Sequence, residues 1–390
     1  MKILYVIYRE NIFSPIVKSQ VIDLLSKNSN KEEIHLLWIK RIDSYFRNRK
    51  KITETKKILK KNKIILHEIP FIVGRFPLTK RVFDFAYLQV KRSIAKIIGK
   101  YKIQIVQTRG YNAGLLITKI IKEYKLKRTA HIFDPRSPYL TEIQSTYDIT
   151  TDSKRYNFWN SSEEYIFREA TYTIATSNSF KEYVNSRGGK AIYIPNNSEI
   201  KNINIAINKS RHKRRNSICY VGSMGHGWNN VDTYINFIEN IYKIEKNINY
   251  EFYILEQCIP LVTEKINQSI IPNSKIKISS VPPEKISDEI AGCLAGMQIM
   301  SSKDTRLGIK TVDYLSAGVP IICNRNAMGA SDLVNKTGLG WNIDKIKIET
   351  IVELMKQNNL SEKCIKYAYD NFSTDSIALK YDKLYHNLTK

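Results

Sequence analysis

The chain has 390 residues, 43% of them apolar, so it is long enough for two packed domains and is not a disordered composition. Its five cysteines stand singly, with no CxxC pair and no disulfide framework, which suits a reducing compartment. The formal net charge of +25 implies an anionic partner: nucleic acid, a membrane surface or phosphorylated small molecules.

In chain order, the run 2–7 (KILYVI) reads as a first β-strand. It meets Arg9 and Glu10 with no small-residue cleavage site, so it is not read as a signal peptide. The following turn, Tyr8 to Pro15, has no glycine. A dinucleotide fingerprint needs glycines there so that the backbone can approach a pyrophosphate, and an NAD or FAD enzyme is disfavoured. A strand is expected at 34–38 (IHLLW). Lys40 to Lys63 then holds eleven Lys or Arg against Asp43 and Glu54. Most of that block reads as a solvated face. The sharper alternative is contact with acidic lipid headgroups, each basic residue contributing about 1 kcal/mol near such a surface.

The spacing predicts a helix over 81–98. Phe83, Tyr87, Val90, Ile94 and Ile97 recur on one side, with Lys91, Arg92 and Lys96 on or beside the other. Strands are expected at 103–107, 129–133, 172–176 and 191–194. Strands alternating with helices argue a parallel sheet covered on both faces. Ligands of such sheets bind beyond the carboxyl ends of the strands. Two of those ends carry polar groups: Arg109, and the segment HIFDPRSPYLTE (131–142) with Asp134, Arg136 and Glu142. Two arginines and two carboxylates suit a sugar or phosphate ligand. The plainer alternative is a proline-built turn in which Asp134 and Arg136 pair with each other. His131 reads as a strand residue rather than a base.

The stretch 196–216 is polar and basic with weak periodicity and reads as an interdomain linker, with 199–216 as its bounds. The alternation then restarts, with strands at 217–221, 251–255, 276–279, 297–300 and 319–323. After the first of these comes YVGSMGHGWNN (220–230). Its glycines, Gly222, Gly225 and Gly227, let backbone N–H groups approach a phosphate, and the helix expected from Val231 begins as an anion site. An ordinary glycine-rich loop is an equal reading. GIKTVDYLSAGVPIICN (308–324) predicts a helix from Ile309 to Ala317, ended by Gly318 with Pro320 shortly after. Lys310 lies in its first turn, where a bare cation opposes the helix dipole. Asp313 shares that face. A phosphate there would reverse the argument for Lys310, and Asp313 could accept from a ribose diol. Composition alone favours an (i, i+3) surface ion pair, worth roughly 0.2–0.5 kcal/mol. The end, 361–390, reads as helical.

Several chemistries lack their motifs. There is no GxxxxGK[ST], no HExxH, no clustered Cys/His set and no GxSxG, which disfavours P-loop, zinc and hydrolase readings. The absence of an Asp-x-Asp pair weakens the case for a metal-held nucleoside diphosphate.

The residues just described resemble glycosyltransferase family 4. GIKTVDYLSAGVPIICN is similar to that family's Lys-x-x-Glu…Tyr-Leu-Ala-x-Gly-x-Pro-Val-Ile signature. MGASDLVNKTGLGW (328–341) resembles the loop and helix that follow it. YVGSMGHGWNN resembles its first phosphate loop, and DPRSPYLTE the Asp-x-Arg-Gly…Glu stretch of a surface-polysaccharide subgroup. SPIVKSQVIDLL (14–25), beginning at Ser14, and YDNFSTDSIALKYDKLYHNL (369–388) also match family habits.

The resemblance implies a GT-B fold, two Rossmann-like doubly wound α/β domains with a ligand cleft between them. Its domains would be 1–198 for the acceptor, 217–368 for the nucleotide-sugar, and a C-terminal helix, 369–390, returning to the first. It implies a retaining transfer from a nucleotide-sugar donor to a saccharide or lipid-linked acceptor in surface-polysaccharide synthesis. No cofactor and no obligatory metal would be needed. The enzyme would be cytoplasmic, peripheral on the anionic inner membrane face, with no nucleic-acid partner. Lys310 would hold the diphosphate and Asp313 the ribose. Gly222, Ser223, Arg306, Gly329, Ala330 and Ser331 would complete the donor site. Asp134, Arg136 and Glu142 would join Lys310 as catalytic groups, with Arg109 and Ser14 on the acceptor side.

The sequence departs from the family at Thr305, where the first carboxylate of Glu-x7-Glu is usual, at Asp313, one methylene shorter, and at Ser137 in place of glycine. The Arg/Lys pair that often neutralises the diphosphate is not evident after Ser223; Lys303, Arg306 and Lys310 are the candidate substitutes. A GT-B nucleotide-sugar epimerase, a non-catalytic sugar-nucleotide binder and a charge-driven nucleic-acid binder are the competing readings. The last lacks any recognisable module.

Overall fold

The computed structural model describes residues 1–28, 32–41, 48–71, 78–147, 149–198, 200, 203–212, 214–225, 227–357 and 360–389. Residues 42–47 of the basic block, residue 226 of the glycine loop and residues 199, 201–202 and 213 of the expected linker lie outside the described residues. The chain forms two compact units. Unit 1 comprises Met1–Thr176, Phe180–Ile194 and Ile377–Lys390; unit 2 comprises Ser177–Ser179 and Pro195–Ser376.

Unit 1 holds a parallel sheet of seven strands: β1 (Lys2–Tyr8), β2 (Glu33–Arg41), β3 (Ile65–Phe71), β4 (Ile105–Arg109), β5 (Ala130–Asp134), β6 (Tyr172–Ala175) and β7 (Ala191–Tyr193). Their spatial order is β3-β2-β1-β4-β5-β6-β7. The helical segment 15–28 is α1, followed by α2 (Arg49–Lys61), α3 (Lys80–Tyr101), α4 (Gly110–Glu123), α5 (Tyr139–Tyr147), α6 (Lys154–Glu169) and α7 (Asn178–Ser186).

The period-two alternation of β1 builds both layers. Leu4 and Val6 pack with Phe83, Val90 and Ile94 of α3 and Leu116 of α4. Tyr5 and Ile7 pack with Val17 and Val21 of α1 and Ile52 and Leu59 of α2. Strand β3 was not expected from the sequence. Its ILHEIPF run mixes charge with apolar residues because it lies at the sheet edge, where Ile65 stays 40% exposed and Pro70 is tolerated.

Unit 2 repeats the plan with six parallel strands: β8 (Ser217–Gly222), β9 (Asn249–Ile254), β10 (Ile276–Ser279), β11 (Ala295–Gln298), β12 (Ile321–Cys323) and β13 (Gly340–Asn342), in the order β10-β9-β8-β11-β12-β13. Its helices are α8 (Ile203–His212), α9 (Val231–Ile244), α10 (Ile259–Asn267), α11 (Ile286–Ile290), α12 (Ile309–Ser316), α13 (Met328–Thr337), α14 (Ile348–Lys356) and α15 (Ser361–Phe372). Ile218 and Tyr220 face one apolar cluster, Cys219 and Val221 the other.

Two features of unit 2 differ from the sequence reading. Helix α8 occupies most of the stretch read as a linker; its few inward positions are diluted by Asn and Lys, which hid the period. Strand β13 is only three residues long and was missed. Its Gly340 has φ 154, and a Cβ there would overlap the Ile321 carbonyl, so the strand pairs only because the position is glycine.

Candidate functional site

In unit 2 the strand order reverses between β8 and β11. Ligands of open α/β sheets collect at such a point, beyond the carboxyl strand ends. Gly222 ends β8 there with φ 118, a backbone state that favours glycine. Helix α12 starts nearby with Gly308 as N-cap, and no side chain caps its first turn. Lys310 is the second residue of that helix, and a Cβ built on Gly222 would lie 3.7 Å from Lys310 Cε and 3.9 Å from Nζ. Two residues that the sequence singled out separately are thus neighbours.

The Lys310 ammonium donates to the Tyr220 hydroxyl at 2.9 Å and to Asn229 Oδ1 at 3.1 Å. It also sits 4.3 Å from the Tyr220 ring centroid. Tyr220 in turn donates to the Ser223 carbonyl at 2.6 Å, which ties the glycine loop to the same group. Burial is the main influence on the ammonium and pulls its pKa down to about 7; Asp304 raises it and Arg306 lowers it further. The surface ion pair favoured by composition is therefore not how Lys310 is held. It reaches across to β8 and its loop. Asp313 lies one turn further along α12, half-buried.

The loop before α12 is pinned internally. Asp304, 4% exposed, accepts from Arg306 Nε at 2.9 Å and Nη2 at 3.0 Å. The Arg306 guanidinium lies 4.2 Å from the Trp228 ring centroid. Its charge is thus largely matched within the protein. Thr305, where a carboxylate was expected, has a buried Oγ1 with no hydrogen-bond partner among the described residues.

Gly329, Ala330 and Ser331 open α13 and are buried. A Cβ on Gly329 would overlap the Arg306 carbonyl, so only glycine lets α13 approach the loop this closely. The Ser331 hydroxyl faces inward and accepts from Asn342 Nδ2 at 2.9 Å, leaving backbone rather than side chain as that residue's means of meeting a ligand.

In unit 1 the order reverses between β1 and β4. Arg109 ends β4 there, opposite Ile7 on one side and Asp134 on the other. Its Nε donates to Glu10 at 2.9 Å, while its buried Nη1 has no partner among the described residues. The glycine-free turn after β1 is made by Arg9 itself, at φ 68. Arg136 is likewise left-handed, at φ 65. Such conformations cost of order 1 kcal/mol or more and collect at ligand sites.

Asp134 and Arg136 do pair, at 2.6 Å. Asp134 is fully buried and also lies 3.5 Å from the hydroxyls of Tyr5 and Tyr381. Tyr385 donates to Gln107 Oε1 at 2.5 Å. This network fastens the C-terminal helix, Thr374–Asn387, to the sheet of unit 1, so the pair acts on the fold directly. Glu142 accepts from Ser137 at 2.6 Å, apart from that network. Ser14 caps α1, accepting from Val17 N at 3.3 Å.

Tyr220, Asn229 and Trp228 in unit 2, and Arg9 and Glu10 in unit 1, were not singled out from the sequence. The only available signal was their position just after strands or within the glycine loop.

No family model matches the chain, and no curated protein matches it in sequence. Among solved structures it is similar to HepE of Anabaena, crystallised with UDP and glucose, at 13% identity and TM-score 0.67, covering 99% of this chain and 100% of that one. It is similar to a glycosyltransferase of Rickettsia africae at 16% identity and TM-score 0.66, covering 100% and 98%. It is also similar to the lipopolysaccharide outer core galactosyltransferase WaaB, at 13% identity and TM-score 0.69, covering 99% of each. The fold is GT-B: two Rossmann-like units built on parallel sheets.

Proposed function

We propose that this protein is a glycosyltransferase that takes its sugar from a nucleotide-sugar bound by unit 2. The observation that carries the reading is the convergence of Lys310, Gly222 and the uncapped start of α12 at the β8/β11 reversal. As a glycosidic bond to a nucleoside diphosphate breaks, the leaving group gathers negative charge. A fixed ammonium and free helix N–H groups aimed at it stabilise that transition state. Lys310 takes the diphosphate, Gly222 and Ser223 admit it, and Asp313 takes the ribose. The backbone of Gly329, Ala330 and Ser331 approaches the donor. Arg306 acts through the loop it braces rather than as a second free cation.

The finer reading follows the sequence resemblance. Transfer retains the anomeric configuration, needs no obligatory metal, and delivers the sugar to a saccharide or lipid-linked acceptor in surface-polysaccharide assembly at the inner membrane face. Arg109 and Glu142 are the acceptor-side candidates in unit 1, because Arg109 keeps a donor in reserve and Glu142 lies outside the buried tyrosine network.

A thermal-shift screen against nucleotide-sugars and free nucleotides tests the donor reading, since a ligand that binds the folded state raises its melting point. Lys310→Ala should abolish the shift; an unchanged shift overturns the assignment. Product formed without an acceptor would identify an epimerase instead. Tight binding with no turnover would identify the non-catalytic reading that Thr305 keeps open.

A further inference from the structure

We propose that the outer face of α3 docks on an anionic lipid surface. This deepens the peripheral-membrane part of the reading above and is tested independently of nucleotide-sugar binding. Among the described residues, Leu88 and Phe85 are the two most exposed large apolar side chains, at 62% and 57%. Both lie on α3, three residues apart, with Val82 beside them. At 100° per residue, Arg81, Phe85, Leu88, Arg92 and Lys96 fall on one stripe, running about 22 Å along the axis. The opposite face, with Phe83, Val90 and Ile94, is the core side.

The cations on the two sides of α3 are treated differently. Toward its neighbour α4, Lys91 pairs with Glu123, and Asp84 pairs with both Lys80 and Lys119. On the outer stripe Arg81, Arg92 and Lys96 form no ion pair among the described residues. An apolar centre flanked by unneutralised cations has the chemistry of a helix that lies in a membrane interface. A second copy of this chain would bring the same cations face to face, and the chain as a whole carries +25. The charge complement is an acidic surface, and a straight stripe with side chains to insert fits lipid.

The proposal also discriminates within the molecule. The basic helix α2 attracts attention from the sequence, yet it packs through Ile52 and Leu59 on the Tyr5/Ile7 face of the sheet, whereas α3 packs on the Leu4/Val6 face. One flat surface cannot meet both.

The test is co-sedimentation of the full chain with phosphatidylcholine vesicles, with and without phosphatidylglycerol. Wild type should bind only the anionic vesicles. The variants Phe85→Ser/Leu88→Ser and Arg81→Glu/Arg92→Glu should each bind about tenfold more weakly. Lys50→Glu/Lys57→Glu on α2 should bind as wild type. Melting points and nucleotide-sugar thermal shifts should stay unchanged in all of them, since these side chains are exposed and belong to unit 1, whereas the donor is read in unit 2. Indifference of wild type to phosphatidylglycerol overturns the proposal, as does loss of binding confined to the α2 variant. Self-association in solution that the α3 variants abolish overturns it in favour of a second copy.

Discussion

Lys310 should take up a proton when the donor binds. In the free protein burial holds its pKa at about 7, against an ordinary value near 10.5, so the ammonium is half-neutral at neutral pH. A diphosphate beside it favours the charged form and raises the pKa well above the assay range. Binding should then take up about 0.5 proton at pH 7 and about 0.9 at pH 8. The dissociation constant should weaken roughly 25-fold between pH 6.5 and 8.5 if only the protonated form binds. The assay is calorimetry with UDP-glucose, or whichever nucleotide-sugar the thermal screen returns, in buffers of different ionisation heat. The nucleotide-sugar diphosphate does not itself titrate in this window. Lys310→Arg should flatten the pH profile, because guanidinium stays charged. The sign for folding runs the other way from a salt-bridged lysine. The unfolded chain binds more protons between about pH 7 and the ordinary lysine range, so Lys310 makes folding more favourable as pH rises through that window. Wild-type binding at pH 8 without proton uptake would refute the assignment of Lys310 to the diphosphate.

Three further outcomes follow from named contacts. Gly222→Val strains a backbone at φ 118 and crowds Lys310, so donor affinity should fall at least about tenfold while the core of unit 2 stays folded, as read by thermal shift. Asp134→Ala strands Arg136 without its carboxylate and should cost about 3–5 kcal/mol in urea unfolding; a loss below about 1 kcal/mol would mean the pair does not secure the C-terminal helix. His131 is buried beside Thr108 and Thr118, and burial pushes its pKa down to about 3. The unfolded imidazole binds its proton near pH 6.5, so wild-type stability should fall as pH drops below that, by up to about 1.4 kcal/mol per unit, and His131→Asn should reduce the slope.

Most of the fold was legible because strands contain unbroken apolar runs such as ILYVI (3–7) and ICYV (218–221), buried on both faces. The helix at Ile309–Ser316 was legible to within one residue because Gly318, at φ 76, marks its end. What failed had a physical cause in each case. β3 is a polar edge, β13 is too short for a pattern, and α8 carries Asn, Lys, Ser, Arg and His among its few apolar residues. The site was legible as positions but not as contacts. Lys310 and Asn229 are 81 residues apart, and Asp134 meets Tyr381 across 247. Local spacing offered Lys310 a partner at Asp313 and offered Asp134 a partner at Arg136. The second pairing exists; the first gave way to Tyr220 and Asn229, because the helix start turns that side chain toward the strand end.

The two cations of the unit 2 site carry different weight for this reason. Arg306 meets Asp304 through two nitrogens and stacks on Trp228, so its field is nearly cancelled where it arises. Among the described residues, Lys310 hydrogen-bonds only to neutral oxygens. The chain's net charge of +25 does not account for this difference, since exposed charges are screened beyond about 8 Å at physiological salt. It can steer acidic ligands and surfaces toward the protein. The enclosed ammonium selects among them, because its desolvation has already been met by folding and its depressed pKa measures that cost. A ligand recovers the cost only by bringing negative charge within hydrogen-bond reach of Nζ and of the α12 N–H groups together. A diphosphate offers oxyanions on two linked phosphates for this, whereas a lone carboxylate offers a single charged group.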